Sequence, residues 1–234
     1  MGIKTVSEIP ENPSGIFIIR THGAAPETFK QLENKGCCVV DLTCPDVKFV
    51  QDKAKQLAIE GYRVVIIGKP THPEVTGIKA NADELAAKPS VVISLPEEVE
   101  LYAEEFKKDK KIGVVVQTTG LAENFKDIVK IIASYSKELR VFNTICPATI
   151  YRQQSALELA NGVELMIVAG SKSSANTLHL VQILNERVNT LHIETAQDID
   201  NYKDLISKAS KIGITAGAST PDFVIEEIIQ RIGE

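Results

Sequence analysis

Two cysteines stand directly before prolines in similar contexts. The segments DLTCP (41–45) and NTICP (143–147) contain Cys44 and Cys146, each after a short apolar run. Because a proline can open a helix, each cysteine takes the helix cap position, where free backbone N–H groups suit an anionic sulfur. Such thiolates favour soft metals and iron–sulfur clusters, and the alternative is a buried, unreactive cysteine. The matched contexts favour metal ligands.

Two further cysteines, Cys37 and Cys38, stand at the start of the apolar run that leads to Asp41. If this run is a strand, a rise of about 3.3 Å per residue places them up to roughly 20 Å from Cys44, at the other edge of the sheet. We therefore predict that Cys37 and Cys38 pack in a core and do not bind metal.

Two histidines follow apolar runs in similar positions. His22 lies in RTHG and His72 in PTHPE, with Glu74 two residues later. Each histidine could simply hydrogen-bond to a neighbouring carbonyl group, but two histidines with an adjacent carboxylate suit phosphate binding and proton delivery. His179 and His192 fall within a predicted helix and a predicted strand, so we expect structural roles for them.

Small hydrogen-bonding side chains complete the candidate site. They stand just after predicted strands, where helix capping and anion binding use the same geometry. The residues of this set are Thr118, Ser174, Asn176 and Ser219. The two roles do not exclude each other.

The elements that must position these residues follow an alternating pattern. Short β-branched runs alternate with amphipathic stretches, which predicts βαβ units with parallel sheets. The predicted strands are 16–20, 38–41, 63–68, 90–94, 112–116, 141–143, 165–169, 190–193 and 211–215, and the predicted helices include 26–35, 47–60, 125–135, 178–187 and 223–232. Most strands run into a polar loop, such as residues 71–77, at the carboxyl edge where open α/β sheets bind ligands.

Composition limits the class of protein. The chain has 234 residues, 44% of them hydrophobic and 24% charged, with a net charge of −5. These values indicate a globular protein, and the lack of a basic stripe argues against nucleic-acid binding. No apolar run approaches the ~20 residues of a membrane span, and residues 1–10 lack the apolar core of a secretory signal. We expect a cytoplasmic protein without membrane association.

The spacing of the strands predicts the domain organisation. Two full αβ lobes are expected at about 46–142 and 143–234, behind a shorter first lobe at 1–45. The first lobe offers two strands and one helix, which is about half of what each later lobe contains.

Seven motifs occur in one order along the whole chain: HG after IIR, VVDLTCP, GKPTHPEVTG, VVQTTG, TICPAT before RQ, AGSKSSANT and GITAGASTPD. In this order they resemble the IspH/LytB family of 4-hydroxy-3-methylbut-2-enyl diphosphate reductases, of the methylerythritol phosphate route to isoprenoids. The resemblance implies an α/β trefoil of three lobes with small, mainly parallel sheets around a [4Fe-4S] cluster, with the first lobe incomplete here.

The resemblance also implies a role for each candidate residue. Cys44 and Cys146 match two of the three cluster cysteines, and Glu74, with Thr118, matches the group that supplies a proton when the C–O bond breaks. Positions around the diphosphate and the hydroxymethyl group match His22, His72, Thr118, Ser174, Asn176 and Ser219. The implied reaction is a two-electron, two-proton reductive dehydroxylation to isopentenyl and dimethylallyl diphosphate, with ferredoxin or flavodoxin as electron donor.

The sequence departs from the family pattern in two places. The family's G-F-C-x-G-V loop with the first cluster cysteine is not in this sequence, so we expect an incomplete ligand set and an uncovered apolar face on the first lobe that favours self-association. The family's Ser-Ser-Asn is Ser174-Ala175-Asn176, which removes a hydroxyl donor worth about 1 kcal/mol.

Three functions stay open at this point. The first hypothesis is that the chain is a reductase of this family. The sequence does not decide whether the chain is active in isolation. Alternatively, it is a non-enzymatic diphosphate-binding or assembly module that obtains the remaining cysteine from a partner chain. A third alternative is a related reductase that acts on another substrate with a different cluster arrangement.

Overall fold

The computed structural model describes residues 2–233. The strands within this range are β1 (Ile16–Ile19), β2 (Cys38–Asp41), β3 (Arg63–Ile67), β4 (Val91–Ile93), β5 (Lys111–Val116), β6 (Glu138–Val141), β7 (Leu165–Ala169), β8 (Asn189–Ile193) and β9 (Ile212–Ala216). The α-helices are α1 (Pro26–Asn34), α2 (Pro45–Ile59), α3 (Pro73–Asp83), α4 (Ala103–Lys108), α5 (Ala122–Tyr135), α6 (Pro147–Ala160), α7 (Ala175–Asn185), α8 (Lys203–Ile206) and α9 (Asp222–Gly233).

These strands form three small sheets, in which every described strand pair is parallel. The strand orders are β1-β2, β4-β3-β5-β6 and β8-β7-β9. The chain divides into two compact units, residues 1–145 with the first two sheets and residues 146–234 with the third. The predicted α/β class with small parallel sheets is confirmed.

The four-stranded sheet contains the main core of the first unit. Its central strands β3 and β5 are nearly continuous runs of valine and isoleucine and are buried almost throughout, as expected for parallel strands covered on both faces. Helices α2 and α3 pack together over one face and contribute Val50, Leu57, Val75 and Ile78, all fully buried. This packing fixes the start of α3 beside the end of β3.

The two-stranded sheet is covered on one face only. Its packed face joins Ile19 and Cys37 to Leu32 of α1. The other side leaves large apolar residues exposed, among them Ile16 at 70% and Leu42 at 55%. The expected apolar face is therefore present on this sheet.

The second unit places helices on both faces of β8-β7-β9. One cluster joins Ile167 and Ile193 to Ile228 of α9, and the other joins Met166 and Val168 to Leu180 and its neighbours. As a result β7 is buried along its whole length, and the loops that follow β7 and β9 leave the same edge of the sheet.

Two predicted elements were wrong in detail. Strand β6 runs over 138–141 instead of 141–143, because it pairs with β5 from Lys111 opposite Glu138 onward and, as an edge strand, tolerates charged residues. The polar segment 71–77 is largely helical, because Pro73 opens α3 and its polar side chains occupy the first turns.

The division into three lobes at 45 and 142 stays a prediction, since the contacts separate two units. Among the described helices, none has the length and apolar character that crossing a membrane requires.

Candidate active site

The centre of the site is a buried carboxylate, Glu74, which is 2% exposed. It lies in the first turn of α3, directly after β3, whereas Thr118 follows β5. Because β3 and β5 are parallel neighbours with Ile67 opposite Val116, their following loops leave the sheet side by side. Thr118 N donates to Glu74 Oε1 at 2.7 Å, and Thr118 Oγ1 donates to Glu74 Oε2 at 2.8 Å. One residue therefore fixes both oxygens of the carboxylate.

Burial and hydrogen bonding act on this carboxyl group in opposite directions. Burial raises the pKa of Glu74, and the two hydrogen bonds from Thr118 lower it by a smaller amount. The net direction is upward, so Glu74 keeps its proton to a higher pH than an ordinary glutamate does. A carboxyl group with this property is suited to general acid catalysis.

Two histidine rings meet at the start of α3. His72 caps α3, and its Nδ1 accepts a hydrogen bond from Glu74 N at 3.2 Å, which assigns the ring proton to Nε2. The His22 ring meets the His72 ring edge to face, with centroids 5.3 Å apart. Burial, with a smaller contribution from the charge of Arg20, lowers the pKa of His22. His22 therefore presents a neutral ring over a wide pH range.

Cys44 and Cys146 both occupy helix caps, as predicted. They precede α2 and α6, with proline in the first helical turn, and both cysteines are half-buried. Cys44 N donates to Thr21 O at 3.0 Å, which ties the Cys44 loop to the loop that carries His22. Within residues 2–233, no group of three or more His, Cys, Asp or Glu side chains could hold a metal ion. The two thiols thus match iron–sulfur chemistry in donor type, whereas such clusters are held by larger ligand sets.

The prediction for the other two cysteines was half right. Cys37 is buried in the core of the two-stranded sheet, but Cys38 is exposed. Side chains alternate along a strand, and α1 covers only the face that receives Cys37 and Val39. Adjacent cysteines therefore cannot share one environment here.

The second unit contains the remaining predicted residues. Ser174 caps α7, and its Oγ accepts a hydrogen bond from Thr177 N at 3.4 Å. Asn176 is 5% exposed, and neither amide atom of its side chain has a hydrogen-bond partner among the described residues. Ser219 is exposed in the loop after β9. An unsatisfied buried amide at a helix N-terminus is the arrangement that a bound anion would complete.

His179 and His192 lie in α7 and β8, as predicted. An Nε2 contact at 3.0 Å joins His192 to the carbonyl oxygen of Gly170, which is consistent with a structural role.

Sequence reasoning missed two buried polar residues next to these sites. Gln51 of α2 lies so close to Gly23 that a Cβ on Gly23 would be 2.6 Å from Gln51 Nε2. Thr177 is fully buried, and a Cβ on Gly217 would be 2.1 Å from its Oγ1. The glycines in HG and TAG were the available signal, because a glycine beside a functional loop often permits close packing.

One protein family matches nearly the whole chain. The model of the LytB protein family matches residues 1–233. The chain belongs to the LytB family.

Relatives within the LytB family are closely similar along the chain. The 4-hydroxy-3-methylbut-2-enyl diphosphate reductase of Geobacter sulfurreducens is 42% identical over 235 residues, covering 100% of this chain and 80% of that protein. The enzyme of the same name from Aquifex aeolicus is 43% identical over 218 residues, covering 93% of this chain and 73% of that protein.

Two solved structures share the fold. A structure of (E)-4-hydroxy-3-methyl-but-2-enyl diphosphate reductase, described as the terminal enzyme of the non-mevalonate pathway, is 42% identical with a TM-score of 0.64, covering 93% of this chain and 75% of that one. The reductase from Plasmodium falciparum is 25% identical with a TM-score of 0.84, covering 97% of this chain and 70% of that one. These similarities confirm the family resemblance that the seven motifs indicated.

The raised pKa of Glu74 predicts a specific pH dependence of stability. Below the ordinary glutamate pKa, both the folded and the unfolded state hold the proton. As the pH rises through the range up to the folded-state pKa, the unfolded state loses its proton first, so the free energy of unfolding falls. Gln does not titrate, so Glu74→Gln lacks this loss of stability. The free energy of unfolding of Glu74→Gln minus that of the wild type should therefore become more positive from about pH 4 to about pH 8.

Urea unfolding of both proteins across this pH range measures the difference. Glu33→Gln, at an exposed position of α1, controls for the loss of one surface charge. A difference for Glu74→Gln that stays flat or becomes more negative would contradict the pKa direction.

Proposed function

We propose that this LytB protein is a 4-hydroxy-3-methylbut-2-enyl diphosphate reductase. The observation that carries the proposal is the buried Glu74 carboxyl group, held on both oxygens by Thr118, in a helix whose cap His72 contacts the ring of His22. Its relatives of this name, similar over the whole chain, support the assignment. They do not favour a non-enzymatic module.

The reaction requires a protonated group where a hydroxyl leaves. Two electrons and two protons convert the allylic alcohol into isopentenyl or dimethylallyl diphosphate and water. Glu74 supplies the first proton, and its raised pKa keeps that proton bound to a higher pH than an ordinary glutamate would. The Thr118 hydroxyl can accept from the protonated carboxyl while it donates to the substrate, because a hydroxyl is both donor and acceptor. The departing oxygen then leaves as water.

The diphosphate group is bound by polar side chains at helix N-termini. Ser174 and Asn176 lie at the start of α7, and the unsatisfied amide of Asn176 offers the donor that an anion needs. Ser219 from the loop after β9 adds a hydroxyl, and His22 and His72 contribute ring N–H groups as neutral donors. Binding relies on hydrogen bonds and helix dipoles, since these positions include no lysine or arginine.

Cys44 and Cys146 are the residues that would hold the iron–sulfur cluster associated with the family. When bound, the cluster supplies the electrons and a Lewis-acidic iron for the substrate oxygen. A small electron-transfer protein, ferredoxin or flavodoxin, would reduce it. The three-lobe organisation, 1–45, 46–142 and 143–234, belongs to the same proposal and accounts for one sheet per lobe.

Turnover should depend on the acidic proton of Glu74. Glu74→Gln keeps the shape of the side chain but removes its acidic proton, so the rate of product formation should fall about 10²- to 10⁴-fold. The measurement is anaerobic conversion of 4-hydroxy-3-methylbut-2-enyl diphosphate with a chemically reduced viologen as donor, after reconstitution with iron and sulfide. Glu33→Gln should retain the wild-type rate, and equal rates for both variants would remove Glu74 from the proposal.

The second prediction separates metal binding from turnover. After the same reconstitution, Cys44→Ser and Cys146→Ser should each bind less than half of the iron and sulfide that the wild-type protein binds, because each removes one thiolate ligand. Cys38→Ser, on the exposed side of β2, should bind the wild-type amount. Iron content that is unchanged in the two cap variants would contradict the ligand assignment, whatever the activity.

We also propose that the exposed face of the two-stranded sheet mediates self-association, because it presents Ile16, Ile18 and Leu42 to solvent. Sedimentation velocity should show concentration-dependent association of the wild-type protein, reduced in Ile16→Ser/Leu42→Ser. Ile59→Ser, on the exposed end of α2, is the matched control. A monomeric wild-type protein at all concentrations would contradict this proposal.

A further inference from the structure

A cavity lies at the edge of the four-stranded sheet opposite to Glu74. It has a volume of about 400 Å³, and its lining includes Tyr62, Arg63, Lys88, Asp109, Lys110 and Lys111. Arg63 and Lys111 begin β3 and β5, whereas Glu74 and Thr118 follow the other ends of these strands. At about 3.3 Å per residue, the two edges are roughly 15 Å apart. The cavity is therefore separate from the candidate active site.

The charge of the cavity favours an anion. Its lining residues include four cations, Arg63, Lys88, Lys110 and Lys111, and two anions, Glu60 and Asp109. The lining residues alone therefore have a formal charge of +2, part of which is offset by Glu105 beside Arg63 at 2.8 Å and Glu138 beside Lys111 at 3.7 Å. Lysine ammonium groups bind phosphate as point charges. The volume lies within the range of small-molecule sites, at its lower end. A compact phosphorylated compound fits both properties.

Two buried polar atoms at this cavity lack hydrogen bonds. Arg63 directs its terminal nitrogen to Glu105 at 2.8 Å, and Asp109 Oδ1 accepts from Lys88. The remaining atoms, Arg63 Nε and Asp109 Oδ2, form an ion pair at 3.8 Å, which is too long for a hydrogen bond, and neither has a hydrogen-bond partner among residues 2–233. Both side chains are more than nine-tenths buried.

A hydroxyl group is the chemical group that satisfies this donor–acceptor pair. It accepts from Arg63 Nε–H and donates to Asp109 Oδ2 at the same time. Both atoms are shielded from solvent, so a ligand must displace neighbouring side chains to reach them. The hydroxyl donates to Asp109 Oδ2, whereas Lys88, whose side chain is 59% exposed, donates to Asp109 Oδ1.

We propose that this cavity, which we call the amino-edge cavity, binds a small phosphorylated polyol. The phosphate contacts Lys88, Lys110 and Lys111, and a hydroxyl group bridges Arg63 and Asp109. This binding site is independent of the reductase reaction.

Calorimetric titration with glycerol 3-phosphate at low ionic strength tests the proposal, with inorganic phosphate and glycerol as comparison ligands. Glycerol 3-phosphate should bind one site about tenfold more tightly than inorganic phosphate, because only the former provides the bridging hydroxyl. Glycerol should not bind measurably. Equal affinity for glycerol 3-phosphate and inorganic phosphate would mean an adventitious ion only, and absence of saturable binding would overturn the proposal.

Three variants locate the site. Lys110→Gln should weaken both phosphate ligands about threefold, whereas Lys130→Gln, an equal charge change on the exposed side of α5, should weaken neither. Asp109→Ala removes the acceptor for the bridging hydroxyl, so the affinities for glycerol 3-phosphate and inorganic phosphate should become equal. If Asp109→Ala does not fold, the exposed Lys110 decides the outcome, and unchanged binding in Lys110→Gln overturns the proposal.

A fourth variant distinguishes this site from the proposed substrate site. Asn176→Ala removes the amide at the start of α7, so reductase turnover should fall while glycerol 3-phosphate binding stays unchanged. Loss of glycerol 3-phosphate binding in Asn176→Ala, but not in Lys110→Gln, would assign the ligand to the diphosphate site and overturn the amino-edge cavity.

Discussion

The buried carboxylate of Glu74 is the constraint on which the site depends. A carboxyl group that is removed from water must find hydrogen-bond donors within the protein or remain protonated. Both effects act on Glu74: Thr118 donates two hydrogen bonds to its carboxylate oxygens, and the pKa of the carboxyl group is still raised. The two donors come from a residue 44 positions away, so the position of the acid depends on the register between β3 and β5. Any change that slips this register also displaces Glu74, the proton donor of the proposed reaction.

Helix N-termini recur at the functional positions because a parallel sheet turns its strand ends into helix starts. His72, Cys44, Cys146 and Ser174 all occupy cap positions. Each of these positions is rich in free N–H groups, which favour anionic partners such as a thiolate or a phosphate oxygen. In the proposed function, these N–H groups bind the charged diphosphate without an arginine at the site. Glu74 and the histidines are then available for other roles in the reaction.

The two edges of the four-stranded sheet differ in the chemistry that they present. The carboxyl edge carries Glu74 and Thr118, which follow β3 and β5, and His72 at the cap of α3. The amino edge carries ion pairs, including Arg63 with Glu105, and the ring of Tyr62 with Lys111 at 5.2 Å and Arg140 at 4.9 Å. At the same edge, Arg63 Nε and Asp109 Oδ2 form an ion pair at 3.8 Å, and neither atom has a hydrogen-bond partner among residues 2–233.

The sequence by itself determined the order and type of most elements, because β-branched runs and helix caps are local signals. Strands β2 and β7 were predicted to the residue, and the cap positions of Cys44 and Cys146 followed from the prolines behind them. Seven ordered motifs identified the family. Only the tertiary structure decided which side of β2 is covered, so that Cys37 is buried and Cys38 exposed, and where β6 begins. It also decided that Thr118 holds Glu74 and that the side-chain amide of Asn176 has no hydrogen-bond partner within residues 2–233. These outcomes depend on pairing and burial between distant segments, which no local pattern encodes.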